Sequence, residues 1–405
     1  MEIYEPREDS DLLAEEARKH ASGNVLDMGT GSGIQAAAAA ENSRVKSVLG
    51  IDISKKAVAY CRKTYKNKKI RFIVSDLFKD IKSLEAKSGP VKFDTIIFNP
   101  PYLPDDPRVK DIALDGGKKG HELLERFFED ANDHLSEDGM ILIVFSSLTD
   151  KGRVDGMIEN ALMDRQMLNA RKIAFEELYV YKITKKLILK ILERRNISGI
   201  KKLAKGKRGL IFTGICNKAK VSIKIKREDS DADTIKNEIT KIQLLNMYGI
   251  GPKFLFSGND PVDYFVYGFI SGEFIMDFFA HAGKKDILPV LRDVFQQMRA
   301  LDNLGVNKEE MHHPLKHVII SKKGGKNRSG NAGIKVVLVD FERCKKTLKP
   351  HNVTQFCQFI VNKQLNAVLK KKGINVDRDK LLGFAREYKN NLSDTAFEKI
   401  LDLLS

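Results

Sequence analysis

Over its first 145 residues the chain alternates short apolar runs with segments of helical periodicity, and this alternation restricts the fold more than any other feature. Residues 24–29 (NVLDMG), 47–53 (SVLGIDI), 70–76 (IRFIVSD), 93–98 (FDTIIF) and 140–145 (MILIVF) have strand length and are bounded by Gly, Asp or Asn. Between them, Ser54–Lys66 and His121–His134 repeat apolar residues every three or four positions, and the AAAAA at 36–40 falls within a helix. Strands that alternate with helices build a parallel sheet covered on both faces. A last run, IAFEELYVYKI (173–183), predicts a strand antiparallel to the one before it.

After Lys185 the pattern changes. Lys186–Arg195 reads as a basic helix, GIKKLAKGKRGLIFTG (199–214) and KVSIKIKRED (220–229) as paired strands, and about 233–247 as a helix. GPKFLFSG (251–258) and YFVYGFISGE (264–273) are again strand-like. Mostly helices follow, interrupted by a flexible SKKGGKNRSGNAG (321–333) and the strand IKVVLVDFERC (334–344). At 405 residues the chain is long enough for two domains, expected at 1–185 and 186–405. Charge divides the same way: 29 Lys and Arg face 31 Asp and Glu in residues 1–185, which leaves 41 against 23 in residues 186–405. The basic half is suited either to RNA, the ribosome or another polyanion, or to a lysine-rich solvated surface.

No apolar run approaches the roughly 20 residues that a membrane crossing needs, and the acidic start MEIYEPREDS has neither signal nor transit character, so the expectation is a cytoplasmic protein with no membrane partner. Cys61, Cys216, Cys344 and Cys357 have no metal-ligand spacing and read as reduced thiols.

The run VLDMGTGSG (25–33) puts Asp27, Gly29, Gly31 and Gly33 where the first strand turns into a helix. Glycines there either let a backbone approach a ligand or make a tight turn and nothing more. Asp52 ends the second strand, where a carboxylate accepts ribose hydroxyls, and Asp76 ends the third, beside a base. Three strand ends thus converge on a nucleoside-shaped ligand. The fourth strand ends in Asn99-Pro100-Pro101-Tyr102, too elaborate for a turn alone.

The D-x-G-x-G-x-G form resembles class I methyltransferases, which bind S-adenosyl-L-methionine, and N-P-P-Y resembles the segment with which some of them methylate planar nitrogens. The resemblance implies that Asn99 and Pro100 accept the hydrogens of a planar NH2 while Tyr102 packs against it. YEPREDSDLL (4–13), with Glu8 placed at the cofactor, and ALDGGKKGHELLERFF (113–128) resemble the HemK family of protein-glutamine N5-methyltransferases. Those enzymes act on the Gly-Gly-Gln loop of class I translation release factors. Because the chain starts at the P-x-E-D-S segment, it resembles the archaeal and eukaryotic branch, which works with a small zinc-binding activator subunit and includes lysine methyltransferases. A nucleic-acid base as acceptor stays open alongside glutamine and lysine.

In the second half, VSIK (221–224) resembles the V-A-I-K strand of protein kinases. Lys224 would hold nucleotide phosphates, with Glu238 as its ion-pair partner and Gly206 and Gly209 as a shortened glycine loop. LDNLGVNKEEM (301–311) resembles the catalytic loop of RIO-like atypical kinases, with Lys308 in place of histidine and Glu310 in place of the catalytic aspartate. VDFERC (339–344) resembles the metal-binding D-F-G, with Asp340 kept and Glu342 replacing glycine. His317 is the nearest occupant of the usual metal-binding Asn position. His312, His313 and His317 together read as a metal cluster, phosphate contacts or plain surface. The implied architecture is α/β: a class I, Rossmann-like methyltransferase followed by an α+β protein-kinase-like domain that takes ATP with Mg2+. A pseudokinase or an RNA-binding or ribosome-binding module stands as the alternative for the second half.

Overall fold

Residues along β1 (Gly23–Met28) turn alternately to two cores, and this places the layers of the first half of the chain. Val25 meets α1 (Glu8–His20), α2 (Ile34–Glu41) and α3 (Lys55–Thr64) through Leu13, Ala36, Ala39 and Val58. Leu26 and Met28 face the other way, to the core that holds Leu124 and Phe127 of α4 (Glu122–His134) and Ile158 of α5 (Lys151–Asn160). The same parity continues in β4 (Phe93–Phe98) and β5 (Leu135–Ser146), where Ile96, Phe98, Ile141 and Ile143 share one core and Ile97, Leu142 and Val144 the other. Each such side chain, fully buried, contributes about 2 kcal/mol by its removal from water.

The computed structural model describes every residue except 1–4, 82–90, 102–120, 174–175, 207, 231–233, 327–331 and 405, with backbone alone at 322–326 and 332. Its contacts divide the chain into two units, Met1–Leu203 with Thr213–Lys218, and Ala204–Phe212 with Ala219–Ser405. In the first, β2 (Val45–Asp52), β3 (Ile70–Val74), β6 (Met163–Lys172) and β7 (Glu177–Lys185) complete a seven-stranded sheet of order β3-β2-β1-β4-β5-β7-β6. β1 to β5 run parallel, whereas β7 is antiparallel to both β5 and β6. The expected antiparallel strand is therefore present as β7. The neighbouring β6 was not anticipated, since its sequence MDRQMLNARK is polar and largely exposed, as befits an edge.

α6 (Leu187–Arg194) is the expected basic helix, although Ile188, Leu189 and Leu192 are buried. β8 (Ile197–Lys205), β9 (Gly209–Cys216) and β10 (Ala219–Lys226) follow. In the second unit, β9 and β10 join β11 (Phe254–Gly258) and β12 (Tyr264–Gly268) in the order β11-β12-β10-β9, with α7 (Thr234–Asn246) between β10 and β11. β13 (Glu273–Phe274), α8 (Ile275–His281) and α9 (Lys284–Asn303) come next, then β14 (Val306–Asn307), a hairpin of β15 (Val318–Lys326) and β16 (Ala332–Leu338), and β17 (Lys345–Lys346). The strand read as 334–344 stops at Leu338. Asp340 has φ +62°, a left-handed backbone that ends a strand. The chain ends in α10 (Asn352–Ile360), α11 (Lys363–Lys371), α12 (Arg378–Asn391) and α13 (Asp394–Asp402). No helix among the described residues is long and apolar enough to cross a membrane.

Asp302 ties this helical part together. Its buried carboxylate accepts Asn352 N at 2.9 Å, Asn352 Nδ2 at 2.6 Å, Val353 N at 3.1 Å and the Tyr388 hydroxyl at 3.2 Å, joining α9, α10 and α12. Asp302→Ala strands four buried donors and is expected to cost about 3 kcal/mol, measured by urea unfolding of the full chain. A loss below about 0.5 kcal/mol, the size of a typical surface change, would show that the network contributes little.

Candidate functional site

Pairing registers bring the ends of three strands level in the first unit. Met28 stands opposite Ile51 on one side and Phe98 on the other, so Gly29, Asp52 and Asn99 emerge together at one sheet edge. Gly29, Gly31 and Gly33 have φ of +63°, +51° and +85°, and Gly33 caps α2. A Cβ at Gly33 would lie 2.4 Å from the Tyr65 ring, so glycine is required there twice over. Around Gly29 and Gly31 the nearest atoms to such a Cβ are 3.7 and 3.9 Å away, which leaves room for a ligand against the backbone.

Asp27 holds this turn from below: its Oδ2 accepts the Thr30 hydroxyl at 2.5 Å and Ala36 N at 3.0 Å. Burial pushes its carboxyl up to about 7 against those bonds, and Oδ1 is buried without a hydrogen-bond partner among the described residues. Asp52 accepts Gly31 N at 2.9 Å and Ser54 N at 2.7 Å, so the backbone fixes both oxygens while their outer lone pairs stay open. Asp76 is engaged by Arg126 Nη2 at 2.9 and 2.8 Å.

Asn99 is held by one half of its amide. Nδ2 donates to Asp9 Oδ2 at 3.1 Å and to Ser10 Oγ at 3.3 Å, and Asp9 and Ser10 are buried at the start of α1. The Asn99 Oδ1 is buried with no hydrogen-bond partner among the described residues. Pro100 is buried beside it, and Tyr102 lies outside the described residues, as do 113–120 of the Gly-Gly-x-x-Gly segment. Glu8 is exposed, and its side chain makes no hydrogen bond among the described residues. Asp9 and Ser10 are thus the residues of the E-D-S segment that reach the site. Neither stands out in the sequence, because their bonds to Asn99 span 90 and 89 residues and leave no local signal.

In the second unit the Lys224 ammonium lies 2.6 Å from Glu238 Oε2, 3.3 Å from Glu342 Oε2 and 3.7 Å from Asp340 Oδ1. Burial alone would lower Lys224, but the three carboxylates hold it above the ordinary lysine range. Glu238 is raised by its own burial despite the pairing, and its Oε1 accepts Phe341 N at 3.1 Å. Asn237 Nδ2 donates to the carbonyls of Glu342 at 2.8 Å and Cys344 at 3.1 Å, which fixes the segment after Asp340 against α7. Gly206 N donates to the Gly209 carbonyl at 2.9 Å, and a Cβ at Gly209 would stand 3.0 Å from Lys224 Cε.

Glu310, at φ +73°, is bonded by Arg343 Nη1 and lies with Oε2 3.1 Å from His317 Nε2. The other ring nitrogen of His317 is 3.7 Å from Asp340 Oδ2. Burial and Lys308 lower His317, whereas burial of Asp340 is outweighed by Lys224, Lys308 and His317, which keep it below the usual carboxylate range. Lys308 is buried; its ammonium bonds the Asp340 carbonyl and sits 4.9 Å from the centre of the Phe341 ring. Lys224, Glu238, Glu310, His317, Asp340 and Glu342 therefore form one cluster, while His312 and His313 are exposed.

A mostly parallel sheet of this order, with a glycine turn, a carboxylate on the second strand and Asn-Pro-Pro after the fourth, defines a class I S-adenosylmethionine-dependent methyltransferase. A family model described as "Methyltransferase small domain" matches residues 7–176. The chain is 35% identical over 186 residues to a putative protein N5-glutamine methyltransferase of Methanocaldococcus jannaschii, covering 44% of this chain and 90% of that one. It is 31% identical over 150 residues to the release factor glutamine methyltransferase of Geobacter sulfurreducens, covering 34% of this chain and about half, 51%, of that relative. The solved E. cuniculi Mtq2-Trm112 complex, titled as responsible for methylation of the eRF1 translation termination factor, is 27% identical with a TM-score of 0.37, over 46% of this chain and 100% of that one. Through its first unit the chain belongs to the HemK-type protein N5-glutamine methyltransferase family.

The raised Asp27 carboxyl has a thermodynamic consequence. Between its ordinary value of 3.8 and about 7 the unfolded chain ionises Asp27 while the folded chain keeps the proton, so stability falls as pH rises through that window and is level above it. Asp27→Asn is expected to remove this slope, measured as the difference between variant and wild-type thermal unfolding of cofactor-free protein across the window. Parallel curves would show that Asp27 is ionised throughout.

Proposed function

We propose that the first unit methylates the side-chain amide nitrogen of a protein glutamine in the Gly-Gly-Gln loop of a class I translation release factor. The observation that carries this is the polarity of Asn99: its donor half is occupied by Asp9 and Ser10, and its buried carbonyl is left for an incoming N–H. An amide nitrogen is a weak nucleophile because its lone pair is delocalised, so orientation, not a strong base, is what the site must supply. Asn99 and the Pro100 carbonyl accept the two amide hydrogens and aim the nitrogen, with Tyr102 as the packing partner. S-adenosyl-L-methionine, when bound, supplies the electrophilic methyl group. Gly29, Gly31 and Gly33 give it backbone, Asp52 takes the ribose and Asp76 lies on the base side. The resemblance to the archaeal and eukaryotic branch brings a small zinc-binding activator subunit as partner.

For residues 186–405 we propose a kinase-like domain, related to the RIO type, that binds ATP with a divalent cation. The Lys224–Glu238 pair beside Asp340 supports this, since it offers a phosphate contact, its orienting partner and a metal ligand. Glu238, Asp340 and Glu342 place ligand oxygens within 4.8 Å of one another, and this excess of negative charge suits a nucleotide that arrives with its cation. Glu310 is already committed to Arg343 and His317, so nucleotide binding is favoured over rapid phosphoryl transfer.

Incubation with labelled S-adenosylmethionine, release factor and ribosomal extract should label one glutamine of the release factor, mapped by mass spectrometry; label on RNA or on lysine would overturn the acceptor assignment. Asn99→Ala should lower methyl transfer by at least about a hundredfold, the scale on which removing one oriented polar contact reduces turnover, with cofactor affinity by calorimetry unchanged. Lys224→Ala should abolish thermal stabilisation by Mg2+–ATP while methyl transfer stays intact. Wild-type protein that gains no stability at millimolar nucleotide would exclude the kinase-like reading.

A further inference from the structure

The second unit holds an imidazole where the kinase resemblance expects an amide, and its surroundings determine which nitrogen is available. Glu310 Oε2 lies 3.1 Å from His317 Nε2. A carboxylate only accepts, so Nε2 carries the ring proton and Nδ1 presents its lone pair. His317 Nδ1 is buried without a hydrogen-bond partner among the described residues, and it faces Asp340 Oδ2 at 3.7 Å. The two oxygens of Asp340 are divided between neighbours: Oδ1 turns to Lys224 at 3.7 Å and is itself a buried atom without a hydrogen bond among the described residues. Two ligand atoms held 3.7 Å apart can both reach one ion, because metal–ligand bonds of about 2.1 Å span that separation at an open angle.

The backbone keeps this pair in place. Val339 N donates to the His317 carbonyl at 2.9 Å, and His317 N to the Pro314 carbonyl at 3.1 Å. Lys308 grips the Asp340 carbonyl, and Glu238 the Phe341 amide. Arg343 holds Glu310 from its far side. The order Arg343, Glu310, His317, Asp340 is that of a carboxylate orienting a metal-ligating histidine, the outer arrangement that fixes tautomer and ring plane.

We propose, building on the nucleotide-site reading above, that His317 Nδ1 and Asp340 Oδ2 form an imidazole–carboxylate metal site selective for Mn2+-class ions over Mg2+, and that Glu310 orients the imidazole instead of accepting a substrate proton. Mg2+ favours oxygen ligands and is reluctant to shed water, whereas first-row transition ions take imidazole nitrogen readily. The histidine thus sets the ion, and Glu310 acts as a positioning residue.

The test uses the full chain with Mn2+ alone, without nucleotide. Spin-echo modulation should show a directly coordinated nitrogen in the wild type and none in His317→Asn, which still offers an oxygen. Thermal unfolding verifies that this variant and His317→Gln are folded. The wild-type ratio of Mn2+ to Mg2+ affinity should fall by about tenfold or more in His317→Asn, and Glu310→Gln should weaken Mn2+ binding about 10- to 100-fold, as loss of an orienting partner does. Absence of nitrogen coupling, its persistence in His317→Asn, or an unchanged affinity ratio would overturn the proposal. Nitrogen coupling in a protein that fails to bind ATP leaves the metal site standing and removes the kinase-like reading; Mg2+–ATP binding without coupling does the reverse.

Discussion

The register of β1 against its two neighbours is the constraint on which the methyl-transfer site depends. Parallel ladders allow no independent adjustment of strand ends: with Met28 level with both Ile51 and Phe98, the residues that follow must leave the sheet side by side. Asp52 then reaches back to the Gly31 amide, which ties the second strand to the glycine turn. Asn99 is tied to α1 through Asp9 and Ser10, and the Ser10 carbonyl accepts Gln35 Nε2 from α2 at 2.9 Å. One hydrogen-bonded frame thus runs from the first helix through Asn99 to the helix that follows the turn. A slip of one residue in β1 would break all of it and exchange the two cores as well.

The second unit solves a different electrostatic problem. Lys224 and Lys308 are both buried, yet they end in opposite conditions. Lys224 is surrounded by carboxylates and held firmly charged, whereas Lys308 is lowered by burial and relies on a carbonyl and an aromatic face. Removing the carboxylate partners of a buried ammonium is costly, since the charge is left without compensation. The Glu238 link to both Lys224 and the Phe341 amide therefore couples α7 to the segment around Asp340. Asp340 in a left-handed backbone is the strained element that this coupling supports.

Much of this was legible in the residues. Buried parallel strands announce themselves as short apolar runs, and the glycine turn and Asn-Pro-Pro stand out because backbone conformation, not packing, demands them. β6 escaped because an edge strand needs neither an apolar face nor β-branched residues to pair. β15 escaped for a related reason: its SKKGGK composition reads as loop, but the ladder partner β16 supplies the apolar register, with Ile320 opposite Val336. Asp9 and Ser10 carry no sign of their task in the sequence, since a bond 90 residues long in sequence, to Asn99, leaves no local trace. The Glu310–His317–Asp340 chain is of the same kind. Sequence order placed all three near one another, whereas tautomer and facing atoms are set by tertiary contacts.

The acceptor chemistry proposed for the first unit rests on counting donors against buried acceptors. The Asn99 carbonyl is a buried oxygen with no hydrogen-bond partner among the described residues, and the Pro100 carbonyl is its proposed companion. A neutral NH2 offers two hydrogens to two acceptors. A hydroxyl offers one, leaving a desolvated carbonyl unpaired at about 1–3 kcal/mol, a discrimination of roughly fivefold to more than a hundredfold. A lysine ammonium offers three and must also lose a proton before it has a lone pair to use. Asp9 Oδ2 already accepts from the Asn99 amide, so this carboxylate is engaged in holding that side chain. A planar amide, already neutral and with its nitrogen hydrogens in one plane, is the nucleophile that this arrangement of acceptors fits with the least reorganisation.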